Sequence, residues 1–347
     1  MITETLPSDY QVLNGFEDDC SAMCNPKTAH KYVRMARLWV WVLSVSKTEY
    51  EWKYQDYRPH LLRYLDICKN VCKISAQTWG KYLGGLNSFF LYLMEEGIVS
   101  ENPVVTFQKR YRCPYKIVQE ERQIVDTPTL EDIITWAGTF VDRRNGKYDA
   151  DKSALWKCVF VYYSKSGMRR EELPALNISN FDIVGFKLDN LKDLDISTFE
   201  FSGGVLNINS HAKRTNCRVP LDKQMVVLVL EYWKIRVRRG EVLTLDSPAF
   251  LGGGFKERIN GERIRQYLQK CAVPMGIHKP GGRLNERFSP HCLRHWFTTE
   301  IEESPIKDSY VEELRGDKRS GSKGRYHHIP TYRLCEAHSV AVPELRV

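Results

Sequence analysis

Apolar side chains first fall into a helical rhythm near Thr28, where Tyr32, Met35, Leu38, Trp39, Val42 and Leu43 recur three and four residues apart. Residues 1–26 before them are polar and irregular, and no element is assigned there. A second set, Leu61, Leu62, Leu65, Ile67 and Cys68, predicts another helix. Ser75 is a candidate cap for a third, which runs through Trp79, Tyr82, Leu83, Leu86, Phe89, Phe90 and Leu93 and stops at Gly97. Asn102-Pro103 reads as the end of this helical block. Beyond a basic connector, Thr127-Pro128-Thr129 opens a new helix, and Trp156, Val159, Phe160 and Tyr163 mark the next. From Phe181 to Leu221 the pattern changes to turns and short alternation. Asn207-Ile208-Asn209 and Arg218-Val219-Pro220-Leu221 read there as strands flanking a turn. Helical spacing returns at 222–239, 260–273, 291–303 and 308–315. The expected fold is mainly α with a small β-sheet. Its parts are an extension (1–27), a helical domain (28–110), a linker (111–126) and an α+β domain (127–347).

Composition narrows the function classes. A chain of 347 residues with 42% hydrophobic side chains can build two ordinary cores. The formal charge of +8 suits a polyanionic partner without requiring one. No stretch approaches the ~18 apolar residues of a membrane span; the longest, Leu38 to Val45, is interrupted by Ser44. Glu4, Asp9, Glu17, Asp18 and Asp19 replace the basic start of a secretory leader, so a cytoplasmic or nucleoid location is expected. The ten cysteines are scattered and read as reduced thiols. Cys20, Cys24 and His30 have no matching pair and no evident fourth ligand, so no metal site and no cofactor are expected. Lys109, Arg110, Tyr111, Arg112 and Lys116 surround Pro114 in the connector. A solvated loop is the plainer reading of that cluster, and contact with a phosphate backbone the functional one.

Breaking a phosphodiester without a metal demands three things. Preorganised cations must meet charge growing on the nonbridging oxygens, a nucleophile must stand in line, and the leaving alkoxide needs a proton. Arginine suits the first task through its planar fork of donors. Arg169 lies in Ser166-Gly167-Met168-Arg169-Arg170-Glu171-Glu172-Leu173, read as a helix end, a glycine turn and a new helix start. Arg294 lies in His291-Cys292-Leu293-Arg294-His295, where Pro290 marks a helix start and His291 shares a face with Arg294. Singly, each motif is weak.

Order and spacing together resemble the tyrosine recombinase, or phage integrase, family. Ser166–Leu173 resembles that family's Thr-Gly-Leu-Arg-x-x-Glu-Leu box, and His291–Phe297 its His-x-Leu-Arg-His-x-Phe box. Arg325-Tyr326-His327 is similar to its Tyr-x-His context, 32 residues after Arg294. The resemblance implies that Tyr326 is the nucleophile, that Arg169 and Arg294 clamp the phosphate, and that His291 assists proton transfer or steadies the phosphate. Glu172 then orients Arg169. Lys213 best matches the family lysine on a hairpin, with Arg214 as its neighbour. The 44 residues from Arg169 to Lys213 imply an insertion near Asp189–Phe201.

Asp317 departs from the pattern. It stands nine residues before Tyr326, where the family has His or Trp. A carboxylate cannot donate to phosphate, and would hold Arg294, Arg315 or a catalytic hydroxyl instead. The Leu314-Arg315-Gly316-Asp317 box is similar to one in some archaeal and archaeal-virus integrases.

The resemblance further implies an N-terminal core-binding domain and a C-terminal catalytic domain. It also implies a double-stranded DNA partner carrying attachment sites, contacted in part by Lys109, Arg110, Arg112 and Arg214. A dimer on each site and a tetramer in the synapse are expected. Leu334, Val340, Val342 and Leu345 in the tail would pack on a neighbouring protomer or on their own domain. The alternatives are a type IB topoisomerase-like relaxing enzyme and an inactive DNA-binding relative.

Overall fold

The computed structural model describes residues 9–45, 57–74, 76–110, 122–141, 146–208, 217–252, 254–317 and 329–347. It is mostly helical, with one small antiparallel sheet. Two units are distinct, Met1–Gln119 and Glu120–Val347.

The first unit contains α1 (Asp9–Met23), α2 (Pro26–Val45), α3 (Arg58–Asn70), α4 (Ala76–Glu95) and α5 (Pro103–Arg110). The stripe from Val33 to Leu43 on α2 meets those of α3 and α4, and Trp39 sits at the centre with no exposed surface. The rings of Tyr64 and Phe90 contact it edge-on at 5.8 and 5.5 Å. At Gly97 the chain turns left-handed and closes α4 as expected, with Ile98 N donating to Leu93 O at 2.8 Å. The Ser75 cap lies outside the described residues.

Two expectations are corrected here. Within the stretch read as irregular, Asp9–Met23 is a helix, because α1 buries Val12, Phe16 and Cys20, one turn apart, in the same core. Phe16 meets Phe89 at 5.0 Å. Three apolar contacts among acids suffice because the partner helices supply the rest of the core. Nor does Asn102-Pro103 end the block. Asn102 Oδ1 accepts from Val104 N at 3.0 Å and Pro103 opens α5, which buries Val104 and Phe107.

The second unit is built on α7 (Ala150–Ser166), whose side chains from Leu155 onward are almost all buried. Asp149 caps it, accepting from Lys152 N at 3.0 Å. In front lies α6 (Thr127–Ala137), which starts where expected and is capped by Asp126, with Asp126 Oδ1 accepting from Thr129 N at 3.0 Å. The strands β1 (Phe181–Ile183), β2 (Gly204–Asn207) and β3 (Arg218–Pro220) pair in that order, with Phe181 opposite Leu206 and Leu206 opposite Val219. These inward residues reach the α7 core, while the suspected insertion folds as turns anchored by buried Leu191. Four helices follow: α8 (Lys223–Arg238), α9 (Gly261–Ala272), α10 (Pro290–Glu303) and α11 (Asp308–Arg315).

The tail returns as α12 (Thr331–Ala341) onto its own domain. Leu334, Val342 and Leu345 are buried there, whereas Val340 is exposed. His338 Nε2 meets Lys165 O at 2.8 Å, and Gln224 Nε2 donates to Leu345 O at 2.6 Å. Buried Lys165 is neutralised by Asp222 at 2.7 Å.

Gly167 ends α7 with φ +56°, and a Cβ there would stand 2.4 Å from the Phe297 ring of α10. Gly167→Ala should therefore lower stability by about 2–4 kcal/mol, combining a left-handed backbone penalty with overpacking. Chemical denaturation checks this, and an unchanged midpoint would contradict the packing described.

Candidate active site

The close approach of α10 to Gly167 sets the site. It brings Arg294, on the second turn of α10, beside the strand of chain leaving α7. Arg294 Nη1 donates to Gly167 O, and its Nη2 donates to Arg315 O at 2.9 Å. These carbonyls lie at the ends of α7 and α11, where orphan C=O groups concentrate negative charge.

Arg169 follows Gly167 by two residues. Glu172, only 1% exposed, accepts from Arg169 N at 2.8 Å and from Arg169 Nη1 at 3.2 Å. Backbone and guanidinium of Arg169 are thus held by one carboxylate. The expected helix start at this point is absent; a short 3-10 turn, Leu173–Ala175, takes its place. Pro174 sits inside that turn, and Glu172 folds back onto Arg169.

Asp317 joins the two arginines. Its Oδ1 accepts from Arg169 Nη2 at 2.8 Å and from Arg294 Nη2 at 3.0 Å. Its Oδ2 lies 3.1 Å from Arg315 Nε, an ion pair without hydrogen-bond alignment. Gly316, left-handed at φ +64°, ends α11 and turns Asp317 inward. The side chains of Arg294, Arg169 and Asp317 are 12%, 23% and 35% exposed, so the three converge at the domain surface within reach of a ligand.

His291 lies one turn before Arg294 on α10. Its pKa falls from 6.5 to about 4, first through desolvation and then through Arg122, His295, Arg294 and Arg170. The imidazole is neutral at pH 7 and able to accept a proton. Arg122 also lowers the pKa of neighbouring His295, behind desolvation. Sequence reasoning missed this cation. Its one signal in the sequence is a basic residue in the connector, four positions before the Asp126 cap.

Arg169, Glu172, Arg294 and Asp317 therefore meet, with His291 on the adjoining helix turn. Lys213, Arg214, Arg112 and Tyr326 lie outside the described residues, as do the side chains of Lys109 and Arg110 at the end of α5. Chain flanking two of these is well held. Ile208 N donates to Cys217 O at 2.6 Å across the β2–β3 pair on either side of Lys213. Arg218 on β3 donates to Thr331 Oγ1 at 2.6 Å and to Ile329 O at 3.2 Å, just beyond Tyr326 in sequence.

The family model described as phage integrase matches residues 183–332. That span includes His291, Arg294, Asp317 and Tyr326 but not Arg169. Among curated relatives, tyrosine recombinase XerC of Pelobacter propionicus is 24% identical, over 83% of this chain and 80% of its own length. Tyrosine recombinase XerC of Thermodesulfovibrio yellowstonii is 27% identical, over 78% of this chain and 77% of its own. Of solved structures, XerH site-specific recombinase bound to difH substrate superposes with a TM-score of 0.60 at 16% identity, covering 97% of this chain and 85% of that one. A lambda integrase dimer bound to a core site gives 0.55 at 12% identity, covering 93% and 98%. These likenesses establish the fold.

A pH dependence follows from the His291 environment. Between pH 6.5 and 4 the unfolded chain binds a proton that the folded imidazole declines. Its contribution to stability is thus complete above about 6.5 and lost as pH falls through about 4. NMR titration of the His291 ring should give a midpoint near 4. A midpoint at or above the ordinary histidine value would contradict the cationic setting.

Proposed function

We propose, from the premise that the chain belongs to the phage integrase family, that it is a site-specific DNA recombinase acting through a 3′-phosphotyrosyl intermediate. One observation carries the mechanism: Arg169 and Arg294, 125 residues apart in sequence, reach the same anionic oxygen. Two planar forks meeting at one oxygen suit the nonbridging oxygens of a phosphodiester, where charge grows as the phosphorus becomes five-coordinate.

In this reading the phenolic oxygen of Tyr326 attacks phosphorus and the bond to the 5′-oxygen breaks. Lys213 supplies the proton that the leaving 5′-oxygen takes up. The tyrosine must lose its own proton, and phenols titrate near 10. His291 assists the passage of that proton to water or steadies the phosphate, and the surrounding arginines stabilise the phenolate as it forms. The phosphotyrosyl ester keeps the bond energy of the backbone. A 5′-hydroxyl from a second duplex then reverses the step and joins new partners.

The partner is double-stranded DNA carrying attachment sites, met by a dimer on each site and a tetramer across two. The helical unit formed by α1 to α5 serves as the core-binding domain. Lys109 and Arg110 there, Arg112 in the linker and Arg214 in the catalytic domain are candidate backbone contacts. Binding of this kind weakens steeply with salt because phosphate contacts release counterions. The protein acts where its DNA lies, in the cytoplasm or on the nucleoid.

Nicked suicide duplexes of randomised sequence test the proposal, since cleavage on them traps the covalent adduct. The native chain should yield an adduct that survives denaturing electrophoresis, and sequencing it reveals the site. Tyr326→Phe should yield none while retaining DNA on native gels. Arg169→Ala and Arg294→Ala should each slow trapping by about 10²–10³-fold, as loss of an oxyanion-stabilising donor does. Adduct formation by Tyr326→Phe rejects the nucleophile assignment.

A further inference from the structure

The arginine seat already holds an anion of the protein's own. One oxygen of Asp317 accepts from both Arg169 Nη2 and Arg294 Nη2, at 2.8 and 3.0 Å. That is the arrangement a nonbridging phosphate oxygen needs. Resting on the recombinase reading above, we propose that Asp317 is a resident counter-anion of the seat. It holds the two guanidiniums together in the free protein and is displaced from them when a phosphodiester enters.

Displacement follows from what each group can do. A carboxylate and a phosphodiester are both acceptors only, so neither can donate to the other, and their charges repel. The two N–H groups now directed at Oδ1 serve one acceptor or the other. The incoming phosphate therefore competes with Asp317 for the same donors, and Asp317 sets the affinity an anion must exceed to be seated.

The partners of the arginines divide into permanent and exchangeable ones. Glu172 is almost wholly buried and grips Arg169 by backbone N as well as by Nη1. Arg294 is held by two backbone carbonyls, those of Gly167 and Arg315. Neither set needs to move for a ligand to enter. Asp317 is different. Its side chain is 35% exposed, it lies beyond the end of α11, and its backbone N is held by a 3.3 Å bond to Glu312 O. A destination is also in place. Arg315 Nε is buried, stands 3.1 Å from Oδ2 and makes no aligned hydrogen bond in the present arrangement. A small swing of the carboxylate away from the seat would give that donor its acceptor, offsetting part of the bonds released. Asp317 is thus a positioning residue that tunes selectivity, and the phosphate itself is bound by the arginines.

Tungstate, a tetrahedral oxyanion, probes the seat directly on the full chain, with its half-saturating concentration read from the rise in melting temperature. Asp317→Asn and Asp317→Ala should each bind tungstate about tenfold or more tightly than the native chain, the loss of one competing charge-assisted acceptor. Asp317→Glu, which restores a carboxylate, should return affinity towards the native value. Arg169→Ala added to Asp317→Asn should cancel the gain. Equal half-saturation in the native, Asn and Ala proteins would overturn the counter-anion role while leaving the arginine seat intact. No tungstate binding by any of them would overturn the seat itself, and with it the mechanism proposed above.

Discussion

Two guanidinium cations held side by side in a partly desolvated site repel unless an anion stands between them. Asp317 is that anion, with Glu172 behind it, and the second unit is arranged around the requirement. The end of α7, the start of α10 and the end of α11 each deliver one charged group to the same small volume. Gly167 lets α10 approach α7, and Gly316 turns Asp317 back towards both arginines. The site is thus made by helix ends, where orphan carbonyls are available to hold an arginine while its other donors face outward.

Rigidity behind these ends comes from burial. The α7 helix is enclosed on nearly every face, and its only charged group within the core, Lys165, is matched by Asp222. The same lysine's carbonyl receives His338 of α12, so the tail helix and the turn carrying Arg169 share one support. From the sheet, Arg218 binds the chain at Ile329 and Thr331. Ile329 and Thr331 are thus tied to the sheet through one arginine.

Much of this was legible in the residues. Regular stripes such as Trp39 to Leu43 and Leu83 to Leu93 announce their helices because each carries enough apolar surface to set the period alone. The two arginine boxes are legible for another reason, since each lies at a helix end marked by glycine or proline. Short or capped elements were not. The α1 helix shows only Val12, Phe16 and Cys20 among acids, and its stability comes from partners far along the chain. Asn102-Pro103 carries the same residue types whether it closes one helix or caps another, and only Val104 and Phe107 finding a core decides it. The turn after Arg169 reads as a helix start because acids follow it, yet Glu172 faces back to the arginine rather than along an axis. Asp317 could be assigned to a family position by counting. That its one oxygen serves Arg169 and Arg294 together is a tertiary fact no local pattern contains.

In the proposed mechanism Arg169 and Arg294 form a single phosphate seat. A crystal of the full chain soaked in tungstate locates the oxyanion without ambiguity, because the heavy atom marks it. Tungsten density is expected between the two guanidiniums, with oxygens within hydrogen-bonding distance of both and the Asp317 carboxylate turned to Arg315. Tungstate bound elsewhere on the surface, with Asp317 still bridging the arginines at full occupancy, would contradict it.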